Sequence, residues 1–421
     1  MDPLDSLFRH ESGRMISVLT RVFGYHNLAL AEDVVQDAFC RALEVWKFNG
    51  VPENPSAWLM ACAKHRAIDV LRRERTAREF GPELGRLADS EWTLVPAVEQ
   101  RFEPHAIQDD LLRMMFSCCD PRLKEEAQVA LILHLLCGFS VGEVAAALVA
   151  RHAAIEKRLG RAKKVLAGSK GLFEVTNERD VAARLPIVQR ALYLLFNEGY
   201  HGASTESVVR GELCREAIRL TGLLQEHPAG DTPATRALRA LMCLHAARLP
   251  SRLDAGGELQ ALPDQDRSRW DRALLAEGQQ WLERSATGPE LTDYHVEAAI
   301  AWAHGSARSP GETDWARIVA LYDQLMEIRP SPVVALNRAI AIAQLEGPER
   351  GLAELRAIAD AEKLATYPFH PAALGELELR CGRERVAREH FQRALALARN
   401  PSERRFFEQR IEACGVAPER A

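Results

Sequence analysis

Five carboxylates crowd one glycine-containing stretch. In SRLDAGGELQALPDQDRSRW and the residue that follows it, these are Asp254, Glu258, Asp264, Asp266 and Asp271. Acidic side chains around Gly256-Gly257 can hold a divalent cation, and a hydrolase would use that ion to polarise its substrate. The same residue types also make turns and cap helices. A second ligand set is conceivable in Cys118, Cys119 and His134. Adjacent cysteines rarely face one ion, however, and no CxxC pair supports them, so the nine scattered cysteines read as reduced thiols. There is no Gly-rich P-loop, no HExxH and no G-x-S-x-G. No catalytic residue, resident metal or cofactor is therefore expected. The carboxylate stretch stays open as a metal site, a regulatory contact or a structural connector.

A different chemistry lies in GFSVGEVAAALVARHAAIEKRLGRAKKVL. From Arg151 to Lys170 there are seven cationic residues against one acid, inside a chain of net charge −5. Ser140 with Glu143 three residues on forms a capping-box signature after Gly138. A short helix, a turn near Ala150 and a second helix follow. Ile155, Leu159, Ala162 and Leu166 share one face of that second helix, while Ala153, Glu156, Lys157, Gly160, Arg161 and Lys164 point outward. A capped helix, a short turn and a basic helix make a helix-turn-helix, with the second helix sized for a major groove. An ordinary helical hairpin with a basic surface would share these features.

Two earlier stretches complete the set. In LALAEDVVQDAFCRALEVW, apolar residues at 34, 35, 38, 39, 42, 43, 45 and 46 leave a narrow polar edge of Glu32, Asp33, Gln36, Asp37 and Arg41. In GVPENPSAWLMACAKHRAIDVLRRER, two prolines stiffen a loop, and Ser56 can cap the helix that follows. His65, Arg66, Asp69, Arg72 and Arg73 fall in one arc of that helix, with Lys64 off the stripe and Trp58 at its start. A cationic stripe is usually only a solvated face. Beside an aromatic-bearing loop, it is also how a stacking pocket is built next to a phosphate track.

The elements that must position these residues are almost all helices. Ala, Leu, Glu and Arg abound, and no alternating strand pattern occurs. With 421 residues the chain has room for two to three domains, and no apolar run could span a bilayer. The all-α organisation expected is a helical domain over 1–78, an acidic linker over 79–107, the helix-turn-helix domain over 108–172 and a helical extension over 173–421. Between Glu79 and Asp110 there are eight acids and two arginines. In the extension, Gly311, Gly347 and Gly382 recur about 35 residues apart, and Leu374, Gly375, Gly382, Ala387, Phe391, Ala394 and Pro401 follow a tetratricopeptide (TPR)-like pattern. A TPR-like groove could make the chain a peptide-binding scaffold. That alone leaves the basic helix unexplained.

These modules, in this order and with this linker, resemble the extracytoplasmic-function (ECF) class of the sigma-70 family of bacterial RNA polymerase sigma factors. AEDVVQDAFCRALEVW is similar to the region 2 helix that grips the polymerase clamp helices. The resemblance implies core-polymerase contacts for Glu32, Asp33, Gln36, Asp37 and Arg41. NPSAWLMACAKHRAIDVLRR is similar to the reader and melter of the −10 element, and implies that role for Asn54, Ser56, Trp58, Lys64, His65, Arg66, Asp69, Arg72 and Arg73. The helix-turn-helix is similar to region 4, which implies −35 contacts for Arg151, His152, Ala153, Glu156, Lys157, Arg158, Arg161 and Lys164. ALYLLFNEGYHGAS, SRLDAGGELQALPDQDRSRW and the tail resemble the ECF subgroup with a long C-terminal extension that takes part in controlling activity. Asp254, Gly256, Gly257 and Glu258 become a regulatory loop on that reading.

The partners implied are core RNA polymerase, through its β′ clamp helices and β flap, promoter DNA, and a regulator bound to the helical extension. No cofactor and no membrane are implied, and the place of action is the cytoplasm, at the nucleoid when in holoenzyme. Two departures from the family pattern bear on promoter preference. His65 stands where asparagine is usual, and Ala150-Arg151-His152 replaces a polar or Pro-Glu cap.

Overall fold

In a computed structural model of the protein, the described residues are 3–73, 110–148, 150–168, 178–201, 209–254 and 256–415. The acidic linker expected over 79–107 lies outside them. Every regular element among the described residues is helical, apart from one isolated bridge between Leu253 and Leu259.

The chain divides into two units. One holds residues up to Leu195 together with Arg219–Asp231, and the other holds Phe196–Ile218 and everything from Thr232. The division falls inside two helices, α8 (Glu178–His201) and α9 (Gly211–Glu226). Residues expected in two separate domains, 1–78 and 108–172, thus belong to one unit.

The first unit begins with α1 (Pro3–Phe23), α2 (Leu28–Asn49) and α3 (Pro55–Arg73). On α2 most of the expected apolar set is buried, namely Val34, Val35, Ala38, Phe39, Ala42 and Trp46, while Val45 is half-buried and Leu43 is exposed. On α3 the buried residues are Leu59, Ala63, Ala67 and Ile68. Its N-terminus is not capped by Ser56. Asn54 Oδ1 accepts the Ala57 N–H at 3.0 Å, with Pro55 as the first helical residue. Proline there gives up only a donor that would be unsatisfied anyway, so asparagine before it is the stronger cap.

Next come α4 (Asp110–Cys118), α5 (Glu125–Leu131, continuing into a π-helical turn at Ile132–Leu136), α6 (Val141–Ala147) and α7 (His152–Ala167). The capping box at α6 forms as read: Ser140 Oγ accepts from Glu143 N, and Glu143 Oε2 accepts from Ser140 N. The core of this part is dense, with Leu112, Met114, Met115, Phe116, Leu131, Ile132 and Leu133 all fully buried. Each such side chain contributes roughly 1.5–3 kcal/mol.

Long-range contacts tie α1–α3 to α4–α7. Arg21 Nη1 donates to Asp110 Oδ1 at 2.7 Å, and the Tyr25 hydroxyl donates to Met114 Sδ at 3.1 Å. A Cβ added at Gly13 would lie 2.8 Å from Leu136 Cα and nearer still to its carbonyl. From α8, Arg184 donates to the Phe116 carbonyl at 3.0 Å, and Arg190 pairs with Glu125 at 2.6 Å.

The second unit continues with α10 (Pro233–Ala246), α11 (Arg272–Ser285), α12 (Asp293–Ser306), α13 (Trp315–Ile328), α14 (Pro332–Glu346), α15 (Pro348–Arg356), α16 (Phe369–Arg380), α17 (Glu384–Ala396) and α18 (Pro401–Ala413). α11 and α12 both pack chiefly on α10, and from α13 onward each helix packs on its neighbours in sequence. Gly375 backs directly onto the buried Phe391 ring, which sits between Ala387 and Ala394. Earlier in the unit, Arg210 (1% exposed) pairs with Glu198, and both are buried.

Candidate nucleic-acid interface

Helix α7 presents two unlike faces. Ile155, Leu159, Ala162 and Leu166 are buried, as their spacing predicts. Arg151, His152, Ala153, Glu156, Lys157, Gly160, Arg161 and Lys164 are exposed, and Arg158 is half-buried. Arg151 is the N-cap residue and offers no side-chain cap, so the first N–H groups of α7 stay available to an anion. The helix is anchored from below by Arg122, which donates to the Val165 carbonyl at 3.3 Å. The same guanidinium hydrogen-bonds Asp120 and holds its carboxyl below the usual carboxylate range.

The polar edge of α2 is equally open. Asp33, Gln36, Asp37 and Arg41 are exposed, and Glu32 is half-buried. Phe48 (83% exposed), Leu43 and Val51 lie nearby in sequence as exposed apolar residues, which monomeric surfaces rarely leave without purpose when they gather. Asp37 pairs with Arg66 of α3 at 3.0 Å in an exposed bridge worth little in itself.

On α3, His65, Arg66 and Asp69 are exposed and Lys64 is half-buried. Arg72 and Arg73 lie on the last turn of α3, and their side chains fall outside the described residues. Trp58 is half-buried and meets Trp46 edge to face, with ring centroids 5.3 Å apart.

One residue escaped the sequence reading. Lys163, omitted from the outward face, donates to Glu32 at 2.6 Å, and both side chains are partly shielded. It stands four positions after Leu159, on the flank of the buried stripe. That intermediate position is the only signal the sequence offered.

The alternative metal ligands do not assemble. Among the described residues no group of three or more His, Cys, Asp or Glu could hold an ion. Cys118 and Cys119 are buried, and burial pushes the Cys119 thiol up to about 12, which keeps it protonated and a poor ligand. His134 Nδ1 is engaged by the Phe139 carbonyl at 2.8 Å.

In the second unit, four of the five carboxylates serve separate local tasks, and Asp264 lies exposed in a short 3-10 turn. Asp254 Oδ1 accepts from Gly256 N and Glu258 N, closing a turn in which Gly257 takes φ 78°. Glu258 accepts from Gln409. Asp266 caps a short 3-10 turn. The next long helix, α11, is capped by Asp271, whose Oδ1 accepts from Ala273 N and Leu274 N. Two 3-10 turns, at Leu262–Asp264 and Arg267–Arg269, take up the intervening residues.

Residues 7–77 match the family Sigma-70 region 2, and this is the segment that carries the exposed α2 edge and the α3 face. The chain carries a sigma-70 region 2 segment. Region 2 marks a transcription initiation factor rather than an enzyme, and it implies binding to core RNA polymerase and promoter DNA. Over 137 residues the chain is 26% identical to the ECF RNA polymerase sigma factor SigX of Bacillus subtilis (strain 168), covering 32% of this chain and 68% of that one. Over 397 residues it is 37% identical to the uncharacterized protein R00370 of Rhizobium meliloti (strain 1021), covering 94% of this chain and 92% of that one, so the two share one full-length family. Residues 184–286 match a family of unknown function (DUF6596). No helix among the described residues is long and apolar enough to cross a membrane.

Proposed function

We propose that the chain is an ECF-type sigma factor with a TPR-like C-terminal extension that regulates it. The carrying observation is α7, which sets a basic, exposed outer face over a fully buried inner stripe, in the same unit as region 2. On this reading the α7 face enters the −35 major groove. Lys157, Arg161 and Lys164 contact phosphates or base edges, each good bidentate base contact being worth roughly 1–3 kcal/mol. The 51–58 loop and the exposed side of α3 receive an unstacked −10 base. Asp33, Gln36 and Asp37 dock on the polymerase clamp helices. Engaging polymerase through Glu32 requires its ion pair with Lys163 to open. The segments 1–78, 108–172 and 173–421 remain the functional divisions of this proposal.

Support for ECF type comes from the kinship with SigX, and support for a regulatory extension from the surface it offers. A groove of about 540 Å³ in the second unit, lined by Leu282, Leu291, His295, Trp302 and Arg317 among others, has the mixed apolar and polar walls of a binding site.

The test is run-off transcription with core polymerase. Lys157→Ala with Arg161→Ala should lower −35-dependent transcription about tenfold or more, and reduce the salt slope of promoter binding by about two. Unchanged transcription removes α7 from the groove. Asp33→Lys with Asp37→Lys should abolish capture of core polymerase in a pull-down while leaving the helical circular dichroism signal intact. Retained capture would remove this edge from the docking surface.

A further inference from the structure

The aspartates of SRLDAGGELQALPDQDRSRW lie outside, while two of its three arginines lie inside and Arg269 is exposed. Asp254, Asp264, Asp266 and Asp271 are exposed, whereas Arg252 and Arg267 are 7% and 8% exposed. Arg248, just after α10, is 8% exposed. The three guanidinium groups alternate with two aromatic rings. Arg252 Cζ lies 4.4 Å from the Tyr200 ring centroid, Arg248 Cζ lies 6.0 Å from Tyr200 and 5.7 Å from Trp270, and Arg267 Cζ lies 5.0 Å from Trp270. His245 and His304 complete the group. Burial, together with the neighbouring arginines, pushes their pKa values down to about 3 and about 4, so both are neutral at pH 7.

The donor supply exceeds the acceptors. Arg248 Nε donates to Gln265 Oε1 at 3.2 Å. Neither of its Nη atoms hydrogen-bonds a described residue, and neither is sealed from solvent. Arg267 Nη1 donates to the carbonyls of His304 and Ala307, at 2.9 and 2.7 Å. Its Nε is buried without a partner, as are Nδ1 of His245 and Nδ1 of His304. Among the described residues no carboxylate forms an ion pair with Arg248 or Arg267, and the one carboxylate whose charge reaches Arg267 is Glu312, beyond pairing distance. The charges that act most on Arg248 are its own burial, Tyr200 and another arginine.

A buried guanidinium without a counter-charge is costly, and stacking on aromatic faces offsets only part of that cost. Arginine's planar fork matches the paired oxygens of a phosphate or carboxylate. We propose that Arg248 and Arg267, with Arg252 adding charge, form a binding site for a small oxyanion, the phosphate or carboxylate group of a metabolite. The anion supplies the missing acceptors, takes the free Nη donors of Arg248 and neutralises the cluster. The site lies wholly in the second unit, and the proposal stands whether or not the chain directs transcription.

The experiment is a titration of the full-length chain with inorganic phosphate and, separately, sodium acetate, each at ionic strength matched with chloride. Thermal midpoint and isothermal calorimetry are the readouts. The wild-type chain should show saturable stabilisation with one anion per chain. A response to phosphate assigns a phosphate-bearing ligand, and a response to acetate alone assigns a carboxylate. Arg248→Gln should weaken the response at least about tenfold while leaving the midpoint without anion unchanged or higher, because an unpaired buried charge has been removed. Absence of a saturable response to either anion in the wild type overturns the site, as does an equal response in the variant. If Arg248→Gln fails to fold, hydrogen exchange of the wild type with and without phosphate decides. Added protection at 245–270 and 304–313 upholds the site, and protection elsewhere or none overturns it.

Discussion

Gly13→Ala should lower the thermal midpoint of the first unit by roughly 6–12 °C, a loss of about 3 kcal/mol. The reason is a backbone contact. At Gly13, α1 approaches the π-helical turn so closely that a Cβ would fall within 2.8 Å of Leu136 Cα and nearer to its carbonyl atoms. A flexible side chain could rotate away from such a clash, but a backbone cannot. The neighbourhood offers no slack either, since Leu133, Leu135 and Leu136 are all buried. Relief must come from moving α1 off the turn, which also stretches the Arg21–Asp110 and Tyr25–Met114 bonds. Thermal unfolding followed by circular dichroism measures the effect. A wild-type midpoint would mean that α1 and residues 132–136 are not packed this way in solution. A second serine in place of Gly13 should behave like alanine, because any Cβ suffices.

Glu198→Ala should cost about 3–5 kcal/mol in the second unit. Arg210 is 1% exposed and reaches Glu198 with its Nη2. Removing the carboxylate takes a hydrogen-bonded counter-charge away from a buried guanidinium. The Arg210 backbone is fixed as well, its N–H donating to the Gly199 carbonyl at 2.7 Å and its own carbonyl lying tight against Gly199. The side chain therefore cannot swing out without breaking this crossing of backbones. Urea unfolding gives the number. A loss below about 1 kcal/mol would show that the pair is dispensable, as a surface bridge would be. Replacing both partners with apolar residues of similar volume should recover most of the loss, which separates the stranded charge from lost packing.

What the sequence made legible was whatever depends on near neighbours. The Ser140–Glu143 capping box spans three residues and formed as read. The α7 stripe of Ile155, Leu159, Ala162 and Leu166 follows from helical period alone and is buried throughout. Caps chosen among several candidates were less secure. Ser56 lost to Asn54 because Pro55 prefers the first helical position. Among the carboxylates of the opening stretch, Asp271 caps the long helix because two 3-10 turns take up the residues around Asp264 and Asp266.

The least legible features were those joined across the chain. Nothing near Lys163 announces Glu32, which is 131 residues away. The opening stretch shows the same limit in another form. Its carboxylates attract attention as chemistry, yet they end as solvent-facing caps and turns. Burial of two of its arginines depends on Tyr200 and His304, which the local pattern does not contain.

The separation of contacts along the chain also sets an order of assembly. In the first unit, α1 packs on the adjacent α2, but the Arg21–Asp110 and Tyr25–Met114 bonds and the Gly13–Leu136 approach each close a loop of some 90 residues or more. Closing such loops carries an entropic penalty that comes before any reward from contact. The helices from α13 onward meet the helix just made, so their association closes only short loops. The tail should therefore condense quickly and piecewise, while the first unit completes last, in one cooperative step.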